Sequence, residues 1–357
     1  MVVRILLFLI LSFIGTLTHA QDVIGLSLPL TGRFSPVADR IEFGAMAAIN
    51  KLKADGRDIR VMLLDDGCSE RNMPKVVEQL RVERVKIVVG PVCFDIAKQI
   101  AASMNGEGRA VTPVIALNTR NPLLQRYRKI DSLPLFELGN APDAEARAVV
   151  KHILPRFHGR PFAILDDGSV YGRGLADQVR LLAQEIGLIP VENTNFRPLQ
   201  TTQTSVLRRL KRSGVEALFV AASPEDIVTI SSDLRSLQYN WIVGTGEAAQ
   251  LLPFALNADS VPDELMMVRP IDLPTQTVAP LLRKFKDEKG DVEDTLMLGH
   301  ALIEIAAAAV DDDSSKLDDG TFDTIIGPIH FGADGRAMPT PFGLYRWRGG
   351  MFSRVEP

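Results

Sequence analysis

Short unbroken apolar runs alternate along this chain with longer segments in which apolar residues recur every third or fourth position. The first run, "VIGLSLPLTG", stops at Thr31-Gly32 and predicts a strand. Behind it Val37, Ile41, Ala45, Ala48, Ile49 and Leu52 form a helical stripe. "DIRVMLLDDG" is the next strand. Met73, Val76, Val77 and Leu80 mark the helix that follows, with Pro74 near its first turn. "VKIVVG" and "RAVTPVIAL" are the third and fourth strands, with another helix between them. Strands apolar throughout, separated by amphipathic helices, predict a parallel sheet covered on both faces.

The rhythm then restarts. The "NAPD" turn in "FELGNAPDAEARAVVKHIL" opens a connecting helix. "PFAILDDG", "GLIPVENTNF", "VEALFVAA" and "NWIVGTGE" are strands. The helices between them carry the stripe Leu175, Val179, Leu182 and Ile186, then "TTQTSVLRRLKRSG" ending at Gly214, then "SPEDIVTISSDLRSLQ" capped by Ser223. This is a second α/β unit of similar size, not a short-period repeat. Two further helices, "QTVAPLLRKFKDEKG" and "TLMLGHALIEIAAAAV", precede the strand-like "IIGPIHF" and "PFGLYRWRGGMFSRV". Helices left over after a second sheet imply a return to the first unit. The expected organisation is therefore a leader over 1–20, a first lobe from 21–140 plus 271–327, and a second from 141–270 plus 328–357.

Composition changes this picture little. A chain of 357 residues accommodates two domains. Its 46% apolar and 24% charged residues are ordinary for a globular protein. A formal charge of −4 without a Lys/Arg run gives no electrostatic case for nucleic acid. The N-terminus matters more. Arg4, the apolar run Ile5–Ile14 and the ending Thr18-His19-Ala20 read as a secretory signal cleaved after Ala20. The competing reading is a membrane anchor, for which the run is short and is followed by polar Thr16, Thr18 and His19. Cleavage predicts an exported chain that is not membrane-embedded. The only cysteines, Cys68 and Cys93, then face an oxidising space. A disulfide between them closes a loop of about 25 residues, worth roughly 3–4 kcal/mol in the chain-entropy model; the alternative is two buried thiols.

Catalytic and cofactor signatures are missing from the sequence. There is no phosphate-binding G-x-x-x-x-G-K-[ST] and no G-x-S-x-G elbow. "YGRGLAD" imitates a dinucleotide loop but puts Asp177 where the third glycine belongs. None of the five histidines is paired at metal-ligand spacing, and His300, in an apolar helix, reads as a core or surface group. "DDDSSKLDDG" fits no calcium loop and reads as a solvated acidic turn. No cofactor, metal or catalytic residue is expected. What remains is ligand binding beyond the carboxyl ends of the strands, where loops and helix N-termini meet. Those loops are "LTGRFSP", "DDGCSE", "GPVCFD", "TPVIALNTRNP", "DDGSVYGRG", "AASPED" and "VGTGEAAQ". Two such sheets facing each other form a cleft that hinged closure would bury.

Nine segments in order carry a resemblance: "LPLTG", "FGAMAAIN", "LLDDGCSERNMPKVVEQL", "IVVGPVCF", "VTPVIA", "DDGSVYGRGLAD", "FVAASPED", "VGTGE" and "IIGPIHFGADGRAMP". The chain resembles the periplasmic leucine/isoleucine/valine-type solute-binding proteins of ABC importers over nearly its whole mature length. The resemblance implies the type I binding-protein fold, two doubly wound parallel-sheet lobes joined by three crossover strands. It also implies a disulfide joining the loops of Cys68 and Cys93 and an inner-membrane ABC permease as partner; with the cleaved signal, the expected location is the periplasm, and a monomer is expected.

The same resemblance assigns a ligand set. The position after the second cysteine, usually a Ser that holds the ligand's carboxylate, is Phe94 here. The position usually occupied by a Thr gripping carboxylate and ammonium is Ala116, and Val114 and Ile115 replace small residues. Tyr171 matches the second lobe's tyrosine, and Glu247 matches the acid that meets the ammonium; the tyrosine near "SPED" is absent. Two hydroxyl bonds to an ionised carboxylate, each worth about 1.5–3 kcal/mol, are thereby lost. A zwitterion held in the usual way is not expected. The expected ligand is amino-acid-like or an organic acid, with Phe94 either one wall of the site or a core residue. Arg33 and Arg120, in cleft-edge loops, either meet an acid group or are solvated. The rival functions are a sensor subunit of the same fold and an α/β hydrolase.

Overall fold

The computed structural model describes residues 22–32, 34–57, 59–106, 110–254, 261, 263–271, 294–311, 315–337 and 341–355. The expected leader, Arg33, the helix "QTVAPLLRKFKDEKG" and part of "DDDSSKLDDG" lie outside the described residues. The chain divides into two compact units. The first holds residues 1–119, 123–139 and 274–337; the second holds 120–122, 140–273 and 338–357. Apart from the three-residue excursion at Arg120–Pro122, the chain passes between units three times. The last passage follows Ala337, so β-structure expected in the second lobe from residue 328 groups with the first unit.

The first unit is built on β1 (Asp22–Leu28), α1 (Ser35–Ala54), β2 (Ile59–Asp65), α2 (Met73–Val82), β3 (Ile87–Val89), α3 (Phe94–Met104), β4 (Val114–Leu117), α4 (Leu124–Lys129) and β5 (Leu135–Leu138). The second runs through α5 (Ala144–Ala148), β6 (Phe162–Asp166), α6 (Val170–Glu185), β7 (Glu192–Asn195), α7 (Thr204–Arg212), β8 (Ala217–Ala221), α8 (Pro224–Ser236), β9 (Ile242–Thr245) and β10 (Met266–Pro270). The chain then returns to the first unit with α9 (Asp294–Asp311), α10 (Lys316–Asp319), β11 (Thr321–Thr324), β12 (Gly327–His330) and β13 (Arg336–Ala337). It ends in the second with β14 (Phe342–Arg348) and β15 (Met351–Arg354).

The first sheet has six strands in the order β13-β5-β4-β3-β1-β2, all parallel. The second has seven, β15-β14-β10-β9-β8-β6-β7, parallel from β10 to β7 with an antiparallel hairpin at the other edge. That hairpin turns on Gly349 and Gly350 at φ 55 and 83, the positive-φ pair that a two-residue turn matching strand twist requires. The order of strands reverses beside β1 in the first sheet and beside β6 in the second. Such reversals place ligand-accessible crevices at the carboxyl strand ends.

Both units are packed as the apolar runs require. β3, β4, β5, β6 and β8 are buried at every position. In the first unit α1 lies against the almost wholly apolar α9. Gly44 and Gly299 put helix backbone against helix backbone there: a Cβ on Gly44 would land on the Leu296 carbonyl, and one on Gly299 on that of Ile41. His300 is buried in α9 with its Nδ1 3.3 Å from Glu304, whose other contacts are Lys51 and the Ile325 amide. No helix among the described residues is long and apolar enough to cross a membrane.

Candidate functional site

At the carboxyl edge of the first sheet, the acids that end β2 serve the loops. Asp66 is buried and accepts from the Ser27 hydroxyl at 2.8 Å and the Cys68 amide at 2.8 Å. Burial pushes its pKa up, more than those hydrogen bonds pull it down. Asp65 accepts from the Thr31 hydroxyl at 2.8 Å and the Gly67 amide at 3.0 Å. Cys68, at φ 48, turns the loop so that it is disulfide-bonded to Cys93, the residue before α3, with their Cα atoms 5.6 Å apart. The pairing read from the sequence is therefore present.

The apolar positions singled out in this unit are interior ones. Val114, Ile115 and Ala116 have no exposure, and Phe94 has 9%. The Phe94 ring packs 5.7 Å from that of Tyr127, within the cluster that includes Ile96, Val114 and Ala116. Of the two roles open to Phe94 in the sequence, the structure shows the packing contact. No hydroxyl stands at either position 94 or 116, and no side chain caps the first turn of α3.

The second unit assembles a polar cluster. Tyr171, in the first turn of α6, donates its hydroxyl to Glu145 Oε1 at 2.7 Å. The backbone amide of Glu247, two residues beyond β9, donates to the same oxygen at 2.7 Å. The side chain of Glu247 in turn receives both terminal nitrogens of Arg120, Nη1 to Oε1 at 2.5 Å and Nη2 to Oε2 at 3.2 Å. This fork geometry is the strong form of a charge-assisted pair. The two side chains keep 28% and 19% of their surface exposed, so the pair is reachable from solvent.

Local geometry fixes each member. Ser169 caps α6 by accepting from the Gly172 amide at 2.9 Å, which sets the first turn that presents Tyr171. Gly246 has no room for a side chain: a Cβ would lie 2.7 Å from the Tyr171 hydroxyl and 2.7 Å from Leu175 Cδ2, and would overlap Glu145. Arg120 sits in the left-handed region at φ 49, two residues after Asn118 at φ 50. Such conformations cost on the order of 1 kcal/mol or more for residues other than glycine and collect where function holds them. Next to Arg120, Thr119 donates to the buried Glu137 at 2.9 Å, and Glu137 also receives Arg336 Nε at 3.1 Å.

The electrostatics follow from burial and proximity. Glu145 is pushed up to about 7, chiefly by burial and then by the charge of Glu247; the bonds from Tyr171 and the Glu247 amide and the charge of Arg120 oppose this. Burial and the Glu145 carboxyl raise Tyr171, which therefore remains a hydroxyl donor at neutral pH. Burial alone would lower Arg120, but its bonds and attraction to Glu247 outweigh it, and the guanidinium stays charged. The cluster thus offers one permanent cation, one carboxylate, a second carboxyl poised near neutrality and a phenol.

Other acids at this edge are engaged by loop amides. Asp167 accepts from the amides of Ser169 at 2.9 Å and Ser223 at 3.2 Å, and Asp226 from that of Leu199 at 2.8 Å. A hollow of about 550 Å³ opens among these loops beside Arg173 and Asn195. The largest hollow described in the first unit, about 920 Å³, lies instead at the amino ends of β3, β4 and β5. Its Arg128 is bonded to the Leu135 carbonyl and Asp318. No group of three or more His, Cys, Asp or Glu side chains among the described residues is placed to hold a metal.

Tyr171 and Glu247, both selected from sequence, therefore belong to one cluster, and Arg120, open to two roles in the sequence, is the ion-pair partner of Glu247. Glu145 carries no motif of its own. It lies 26 residues from Tyr171 and 102 from Glu247, and only its place after the "NAPD" turn marks it in the sequence.

The Leu/Ile/Val-binding protein BraC3 of Rhizobium johnstonii is 22% identical, with 95% of each chain covered. The crystal structure of LivJ, a branched-chain amino acid transporter substrate-binding protein of Streptococcus pneumoniae in complex with isoleucine, superposes with a TM-score of 0.63 at 16% identity, covering 94% of this chain and 100% of that one. A solute-binding protein of an R. palustris ABC transporter in complex with benzoate gives a TM-score of 0.61 at 16% identity, covering 94% and 95%. The family model for periplasmic binding proteins matches residues 23–351, nearly the whole described chain. Two wound α/β units and a family model matched from end to end together make this chain a member of the periplasmic binding protein family.

Proposed function

We propose that the protein captures a small organic solute, amino-acid-like or an organic acid, in the periplasm and delivers it to an ABC importer. Capture is by closure of the two units on the ligand, with no bond made or broken. The observation that carries this is the cluster Tyr171–Glu145–Glu247–Arg120 at the carboxyl edge of the second sheet, the edge at which open α/β sheets bind ligands. Relatives are described as Leu/Ile/Val-binding, and proteins of the same fold hold isoleucine or benzoate. In this reading Tyr171 and Glu247 contact the ligand directly. Phe94, Val114, Ile115 and Ala116 form the apolar floor of the first unit's side and contribute through their backbone.

A thermal-shift screen of the chain from residue 21 tests this. It covers amino acids, aromatic acids, short-chain acids, alcohols and amides. A ligand present at a hundredfold its Kd stabilises by about 2.7 kcal/mol and raises the melting point by several degrees. A flat screen, or chemical turnover of any compound, would sink the proposal.

A further inference from the structure

We infer that Arg120 is the receptor for the ligand's carboxylate, and that Arg120 and Glu247 form a resting pair which the ligand enters by splitting. The ligand's carboxylate takes the guanidinium and its ammonium takes Glu247, beside the Tyr171 hydroxyl. This rests on the capture reading above and adds which side chain meets which charge.

The argument is one of charge and geometry. The first unit offers no hydroxyl at positions 94 or 116, where Phe and Ala stand. Arg120 brings a cation to this cluster, from a left-handed backbone conformation that is uncommon for residues other than glycine. Both terminal nitrogens of Arg120 are already bonded to one carboxylate in a fork. That geometry suits any carboxylate, so a ligand's carboxylate can replace the side chain's without rebuilding the donor. Glu247 is held for the exchange at its backbone, where its amide is fixed by Glu145, which Tyr171 also holds.

The exchange is selective because each partner gives up a forked, charge-assisted bond when the pair opens. A simple acid that took Arg120 would break its fork with Glu247 and offer Glu247 nothing in return, and a simple amine that took Glu247 would likewise cost Arg120 that fork. Giving up a forked, charge-assisted pair without replacing both of its halves is unfavourable. A ligand bearing both charges replaces one neutral pair by two. The cluster therefore favours a zwitterion over an acid or an amine of the same shape, without a hydroxyl grip on the carboxylate.

Titration calorimetry on the chain from residue 21 tests this with the twenty common amino acids, and with isovalerate, isopentylamine and benzoate as single-charge probes. At least one amino acid is expected to bind, and to bind about a hundredfold more tightly than any single-charge probe. Arg120→Ala is expected to weaken that amino acid about a hundredfold while strengthening isopentylamine, because Glu247 is released. Glu247→Gln is expected to do the reverse, weakening the amino acid and strengthening isovalerate or benzoate. A merely structural role for the pair would not produce these opposite shifts. If Arg120→Ala leaves amino-acid binding within twofold, or if isovalerate or benzoate binds the unmodified protein more tightly than every amino acid, the assignment of Arg120 falls while capture stands. If no probe binds here while another compound shifts the melting point in the wider screen, the assignment of Arg120 falls and capture stands; if that screen is flat as well, both fall.

Discussion

Glu145 shows how a single carboxyl can couple the site to pH. Its ordinary value of 4.5 rises to about 7 because it is buried beside Glu247, with Tyr171 and Arg120 also facing it. The unfolded chain ionises this group near 4.5, so below that pH both states hold the proton and stability is unaffected. Between 4.5 and about 7 the folded state alone retains it, and each unit of rising pH costs about 1.4 kcal/mol. The unliganded second unit is therefore expected to lose up to about 3 kcal/mol as pH rises through this window. Glu145→Gln keeps an acceptor for Tyr171 and the Glu247 amide but removes the ionisation. Melting curves between pH 4.5 and 7.5 should show a steeper fall for the unmodified protein than for this variant, and parallel falls would contradict the account. None of this is visible along the chain. The residue signals that are local, such as the Ser169 cap or the positive-φ Gly349-Gly350 turn, follow from side-chain chemistry at one point, whereas Glu145 acquires its role only from partners brought to it by folding.

Helices packed on helices give a sharper test of sequence against structure, because glycine has opposite meanings in two of them. Gly44 in α1 faces the backbone of α9 so closely that a Cβ would overlap the Leu296 carbonyl oxygen. Gly174 in α6 has nothing within 4 Å of where its Cβ would be. Helix propensity alone favours alanine at both by about 1 kcal/mol. Gly174→Ala should therefore stabilise by roughly 0.5–1 kcal/mol, while Gly44→Ala should destabilise by about 2 kcal/mol or more, since the two helices must move apart. Urea unfolding of the two variants would show midpoints moving in opposite directions; a stabilised Gly44→Ala would mean that the close approach of α1 and α9 is wrong. Periodicity could find both helices but not this contact, which joins segments some 250 residues apart. Length alone did not decide legibility, since the three-residue β3 lies within the apolar run "VKIVVG". β1, β6, β8 and α6 carry enough apolar positions to define a period, whereas β5 has four residues between Pro134 and Gly139, and β13 has two. Such short strands exist because a neighbour supplies the ladder: Arg336 and Ala337 pair with Glu137 and Leu138.

At the scale of the molecule, the order of segments makes a prediction that neither unit makes alone. The first unit is complete at Ala337, but the second still lacks β14 and β15. Those strands are not trim. β14 pairs with β10 along five residues, and it buries Leu344, Tyr345 and Trp347 to 3% exposure or less. Burying one large apolar side chain contributes about 1.5–3 kcal/mol, so losing these three removes on the order of 5 kcal/mol or more, against a total of about 5–15 kcal/mol for a typical domain. It also leaves β10 with an unpaired edge. A chain ending at residue 337 should therefore keep its first unit and lose its second. Hydrogen exchange read by mass spectrometry separates the two: peptides from β1, β3, β4 and α9 should stay protected while those from β6, β8 and β9 exchange within seconds. Protection retained in β6 and β8 would show that the hairpin is dispensable to the second unit. Loss of protection everywhere would show that the units fold as one body, in which case closure on a ligand could not be the motion of two independently stable halves.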